Sequence, residues 1–116
     1  MSTRQPADIK RVRKRIADIR AKIATFDYLC TGSLIGRMRL CPNPKCACAT
    51  DPAARHGPYY EWRHMKGGRV VGRMVSAQQA ELFRQAIANY QAVKALIREW
   101  EAETDDLIEL EHPRSA

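Results

Sequence analysis

Between Ala7 and Phe26 the apolar residues are Ile9, Val12, Ile16, Ile19, Ile23 and Phe26, separated by steps of three, four, three, four and three. That rhythm is a heptad seam and not the broad apolar face of a helix lying on a globular core. Every position off the seam is Lys, Arg, Asp, Ala or Thr. So narrow a stripe needs a second helix to bury it. A helix is expected over 7–27, with Pro6 suited to its first turn and Asp8 near its positive end.

The natural partner is a helix over 77–109. Ser76 followed by Gln79 has the form of a capping box, which marks Ser76 as the N-cap. Phe83, Ile87, Tyr90, Val93, Ile97, Trp100 and Leu107 then recur at helical spacing. Two arrangements satisfy the seam: an antiparallel pair within one chain, or a homodimer or partner-helix contact through residues 9–26. Residues 111–116 are expected to be a disordered tail.

Between the helices the apolar period changes to two. Ser33 to Leu40 alternates after Gly36, with Arg37 and Arg39 on one side and Met38 and Leu40 on the other. Tyr59–Met65 and Arg69–Val75 flank Lys66-Gly67-Gly68, and Gly-Gly between such runs signals a hairpin. Tyr60, Trp62 and His64 share one face of the first hairpin strand. The expected fold class is α+β: a basic N-terminal helix, a small three-stranded antiparallel sheet with a cysteine-rich loop (28–75), and a long C-terminal helix pairing with the first. A chain of 116 residues fits one such domain, here 1–110.

No apolar run approaches the roughly 20 residues needed to span a bilayer, so no membrane partner is expected. The charged N-terminal stretch has no apolar centre of a secretory signal, and a cytoplasmic location is expected. In that reducing compartment, clustered cysteines bind metal more often than they pair. Cys41, Cys46 and Cys48 fall within eight residues, in a loop rich in turn formers, and His56 follows. Three thiols and an imidazole are the donor set of a structural zinc knuckle, with Cys30 and His64 as reserve ligands. The alternative is a set of reduced thiols packed in a turn. No carboxylate lies beside the cluster to serve as a general base, so a catalytic Zn2+ is not expected. A nucleophilic cysteine would need an orienting third group, and none is evident.

The net charge of +7 is unevenly spread. Residues 1–26 hold eight Lys/Arg against two Asp, and 27–76 hold eight against three acids. Residues 77–116 hold four against eight, a net of −4. The first cationic group is Lys10, Arg11, Lys14 and Arg15 on helix one. The second is Arg37, Arg39, Lys45, Arg55, Arg63, Arg69 and Arg73, around the sheet and the cysteine loop. Both are candidate phosphate contacts for nucleic acid, DNA first. The competing expectation is that the basic and acidic helices neutralise each other, and that Trp62 is a core anchor and not a stacking platform.

Gly32-Ser33-Leu34, Arg39-x-Cys41-x4-Cys46-x-Cys48, His56-Gly57-Pro58-Tyr59-Tyr60, the Gly-Gly hairpin and the closing helix together resemble a small prokaryotic family. It is classed as a domain of unknown function, and its members often occur near transposase and other mobile-element genes. The resemblance covers about residues 28–100. Pro42-Asn43-Pro44 stands where the family has Gly-Lys-Pro, with the cysteine spacing intact, and the basic helix before Phe26 is less typical. The resemblance implies company with mobile elements and no mechanism. The expectation is a non-enzymatic nucleic-acid-binding accessory domain with a structural zinc knuckle. A protein-interaction or oligomerisation module acting through the heptad helix is the alternative.

Overall fold

The computed structural model describes residues 5–39, 43–54 and 56–114, with Gln5, Arg39, Cys48, Pro52 and His56 described by backbone alone. Helix α1 (Gln5–Ile23) is followed by strand β1 (Ser33–Arg39) and two short 3-10 turns (Ala47–Ala49 and Pro52–Ala54). Strands β2 (His56–Lys66) and β3 (Arg69–Val75) then lead into helix α2 (Ala77–Glu111). The architecture is α+β, as the changes of period anticipate. The chain divides into two compact units: residues 1–27 with 89–116, and residues 28–88.

The first unit pairs α1 with the later turns of α2. Arg13 donates to Glu111 at 2.5 Å, Arg15 meets Glu103 at 3.0 Å, and the Arg20 guanidinium lies 6.0 Å over the Trp100 ring. Positions rising along α1 meet positions falling along α2, so the pair is antiparallel. Val12, on the seam, is only 3% exposed and shares a cleft with Asp106, Glu109 and Leu110, while Val93 and Leu96 are buried earlier on α2. The seam is therefore engaged by a helix of the same chain. Helix α1 ends earlier than 27: Thr25 N–H turns back to the Lys22 carbonyl and Phe26 N–H to that of Ile23, a tightened last turn that leaves Phe26 beyond the helix.

The expected stripe on α2 needs one correction. Ile97 is 43% exposed, and Leu96, which the three-and-four spacing passes over, is 8% exposed. The seam runs Val93, Leu96, Trp100, Glu103 and Leu107. A carboxylate at the fourth of these positions disguises the register, and Glu103 is held there by Arg15.

The second unit is an antiparallel sheet in the order β1-β2-β3, backed by the first turns of α2. Gly67 and Gly68, both at positive φ (57° and 78°), close the β2–β3 hairpin as a two-residue turn of the primed type. The capping box is reciprocal: Gln79 N–H donates to Ser76 Oγ at 3.1 Å, and Ser76 N–H to Gln79 Oε1 at 3.2 Å. Strand β2 begins three residues before Tyr59, because His56 pairs with Arg39 across the ladder. Between Arg37 and Arg39 the register shifts at a bulge, so the regular alternation expected through Leu40 breaks at Met38.

Two substitutions separate the two candidate registers on α2. Leu96→Ala should lower the unfolding free energy by about 2–4 kcal/mol, the cost of emptying a buried site. Ile97→Ala should cost under about 1 kcal/mol, as truncations at exposed sites do. Urea denaturation of the two variants, at matched slope, checks this order.

Candidate nucleic-acid interface and cysteine loop

The ladder sorts the sheet side chains by face. Trp62 is opposite Leu34 on β1 and Arg73 on β3, and Tyr60 is opposite Gly36 and Val75. With His64 and Val71 these form the face toward α2. Trp62 organises it: its ring stacks on His64 at 3.6 Å and on Phe83 of α2 at 4.5 Å, and its Nε1–H donates to the Thr31 carbonyl at 2.9 Å. Arg84 of α2 lies 5.8 Å over Tyr60. Trp62 is thus an anchor between sheet and helix. Gly32, at φ +103°, lets the incoming chain pass so close that a Cβ would fall on the Arg63 carbonyl oxygen.

The opposite face carries Ile35, Arg37, Tyr59, Glu61, Arg63, Met65, Val70 and Met74; Ile35 is half-buried and the other apolar members are well exposed. Tyr59 is 41% exposed, Met74 45%, Met65 61% and Val70 69%. Arg63 is held by Glu61 at 2.7 Å, and the Glu61 side chain also covers Gly72. Arg37, opposite Tyr59 in the ladder, is exposed and forms no ion pair with a described acid.

The expected cations therefore do not share one surface. Arg37 and Arg63 lie on the face away from the helix. Arg73 lies on the helix side, its guanidinium 5.5 Å over Trp62 and 5.6 Å over Phe83. Lys66 and Arg69 face each other at the hairpin end, both exposed. Lys45 is exposed in the loop, its N–H donating to Asn43 Oδ1. Arg39 is described by backbone alone, and Arg55 lies outside the described residues.

On α1, Arg11 pairs with Asp8, Lys14 with Asp18 at 3.3 Å, and Arg15 with Glu103. Lys10 has no acidic partner among the described residues. Compensation goes further than side-chain pairs. The helical unit holds eleven Lys/Arg against ten Asp/Glu, whereas the sheet unit holds nine against three, a net of +6. Nearly all of the net positive charge thus belongs to the sheet unit.

The cysteine loop spans the connection from β1 to β2, closed at its base by the Arg39–His56 pair. Cys46 is half-buried and precedes the turn Ala47–Ala49, its N–H donating to the Asn43 carbonyl at 3.1 Å. Asp51 Oδ1 accepts from Ala53 N–H and starts the second turn. Cys41 lies outside the described residues, and Cys48 and His56 are described by backbone alone. Among the described residues no three His, Cys, Asp or Glu converge on one point. The reserve ligands are placed in the packing of the sheet unit. His64 lies flat on Trp62, with a buried Nδ1 that has no hydrogen-bond partner among the described residues. Cys30 donates its N–H to the Ala86 carbonyl and lines a cavity of about 290 Å³ with Tyr28, Arg73, Leu82 and Phe83. Burial pushes the Cys30 thiol up, away from the thiolate that a nucleophile needs.

Among the described residues no helix is long and apolar enough to cross a membrane. The profile of a family described as Domain of unknown function (DUF6788) matches residues 6–85. The match takes in α1, which the resemblance over 28–100 left aside, and stops within α2. No curated protein and no solved structure matches the chain.

Stacking on two rings makes Arg73 a packing residue. Arg73→Ala should lower the stability of the protein by about 1 kcal/mol, whereas Arg37→Ala should change it by less than about 0.5 kcal/mol. Paired urea melts of the two variants measure the difference.

Proposed function

Because the chain belongs to the DUF6788 family, whose description assigns no activity, we propose a function from its surface: a non-enzymatic nucleic-acid-binding accessory domain. The observation that carries this reading is the segregation of charge. The helical unit neutralises itself, while the sheet unit keeps a net of +6. A field of that kind attracts a polyanion, and each Lys or Arg that replaces a condensed counterion contributes to affinity. Arg37, Arg39, Lys45, Arg55, Arg63, Arg69 and Arg73 supply that field. Lys10, Arg11, Lys14 and Arg15 extend it weakly, because three of these four already have acidic partners. The resemblance supports a DNA-linked role near mobile elements, and the same reading sets that role in the cytoplasm.

Within the same reading, Cys41, Cys46, Cys48 and His56 hold a structural zinc. The donor set is that of a tetrahedral site without an open position, which supplies folding energy and no reaction. Among the described residues of the loop, Asn43, Pro44, Lys45, Ala47, Ala49 and Ala53 are all exposed, so these side chains bury little apolar surface to offset the cost of ordering them. Metal analysis of protein purified without chelator should return about one zinc per chain, and Cys48→Ser should lose it. A metal-free preparation with an unchanged melting temperature would remove the zinc from the proposal.

The binding role predicts a linear fall of log affinity with log salt for a labelled oligonucleotide. Arg37→Gln should reduce that slope by about one, the signature of one lost phosphate contact. Lys14→Gln should leave it nearly unchanged. A salt-independent affinity, or no binding at low salt, would refute the role.

A further inference from the structure

Resting on the nucleic-acid reading, we propose that the ligand is single-stranded and lies across the sheet face opposite α2, with Tyr59 as a base-stacking platform. The side chains of this face fall in rows across the strands. Arg37 stands beside Tyr59; then come Ile35, Glu61 and Met74; then Ser33 and Arg63; and Met65 stands beside Val70 at the hairpin end. From Tyr59 to Met65 the face extends about 20 Å at the ordinary rise of a strand.

Two features distinguish this surface from a duplex-binding one. The first is its apolar content. Tyr59, Met74, Met65 and Val70 are between 41% and 69% exposed, and they are interspersed with Arg37 and Arg63. A duplex keeps its base faces stacked inside and presents phosphate and sugar, against which such side chains gain little. An unpaired strand offers the base faces themselves, which pack on aromatic and apolar side chains while arginines take the phosphates. The second feature is width. The outer strands of a three-stranded sheet lie about 10 Å apart before side chains are added, which makes the face wider than the two-stranded ribbon that a major groove admits. Charge favours an anionic strand over an acidic-apolar protein segment only in company with this face chemistry. Among the described residues the one acid on the face is Glu61, and it is already held by Arg63.

Fluorescence anisotropy on the full chain, with a labelled DNA of about 20 nucleotides offered single-stranded and as a duplex, tests the assignment at about 50 mM salt. The single strand should bind at least about tenfold more tightly. Tyr59→Ala should weaken single-strand binding by roughly five- to hundredfold, with duplex binding changed less than about twofold and Tyr59→Phe close to the parent. Met65→Ala, at a site 61% exposed and so undemanding of the fold, provides a second variant and should cost at least about threefold. Far-UV circular dichroism of each variant shows that the fold is kept. Equal or tighter binding of the duplex, or parent-like affinity in both truncated variants, overturns the single-strand assignment and leaves the broader role standing. No binding of either probe overturns the broader role and this inference together, and turns the face over to a protein partner.

Discussion

The sheet unit depends on one indole. Trp62 packs between His64 on its own strand and Phe83 on α2, under the guanidinium of Arg73, and its N–H reaches the Thr31 carbonyl in the segment leading into β1. A single side chain thus ties the lead-in segment, the sheet and the helix. With Trp62, Tyr60 and His64 all turned toward α2, their strand neighbours Tyr59, Arg63 and Met65 must point the other way. A one-residue slip of β2 would exchange the two sets. The character of the outer face is therefore a by-product of where the indole is buried.

Much of this architecture was legible because its signals are local. The seam of α1, the Ser76–Gln79 box and the Gly67–Gly68 turn each lie within a few residues of what they specify, and the structure forms all three. The misses have a common physical origin. Choosing Leu96 over Ile97 needs knowledge of the facing helix, since Val93 and Trp100 are compatible with either, and Glu103 hides the true repeat behind an ion pair with Arg15. The bulge between Arg37 and Arg39 depends on how β1 meets β2, and alternation along β1 alone does not show it. Arg73 illustrates the same limit. Its type says cation, and only the pairing with Trp62 shows that it lies over the aromatic rings on the helix side. Of the cysteine loop, composition indicated soft donors, while their convergence is a matter of backbone path that spacing does not determine.

Charge follows the same division between pattern and partner. A run such as Lys10–Arg15 on α1 looks like a nucleic-acid footprint when counted along the chain. Paired with the acidic turns of α2 it becomes half of a complementary interface, with Arg13 meeting Glu111 and Arg15 meeting Glu103. Partly exposed pairs of this kind add little stability, on the order of 1 kcal/mol. Their larger effect is on orientation and on the far field, because opposite charges held close together cancel at distance. The sheet unit has few acids to do the same, and its surplus is what a distant polyanion would sense.

Arg39 and His56 face each other across the ladder, so the segment between them starts and finishes at two neighbouring points of a rigid frame. Strand pairing already meets the entropic cost of bringing those points together, and lengthening the segment adds little: about 0.6 kcal/mol for a doubling. Natural or engineered variation in the number of residues there is consequently uncoupled from the strand register. The frame can carry differently sized excursions at that corner while Trp62 and the outer face stay where they are.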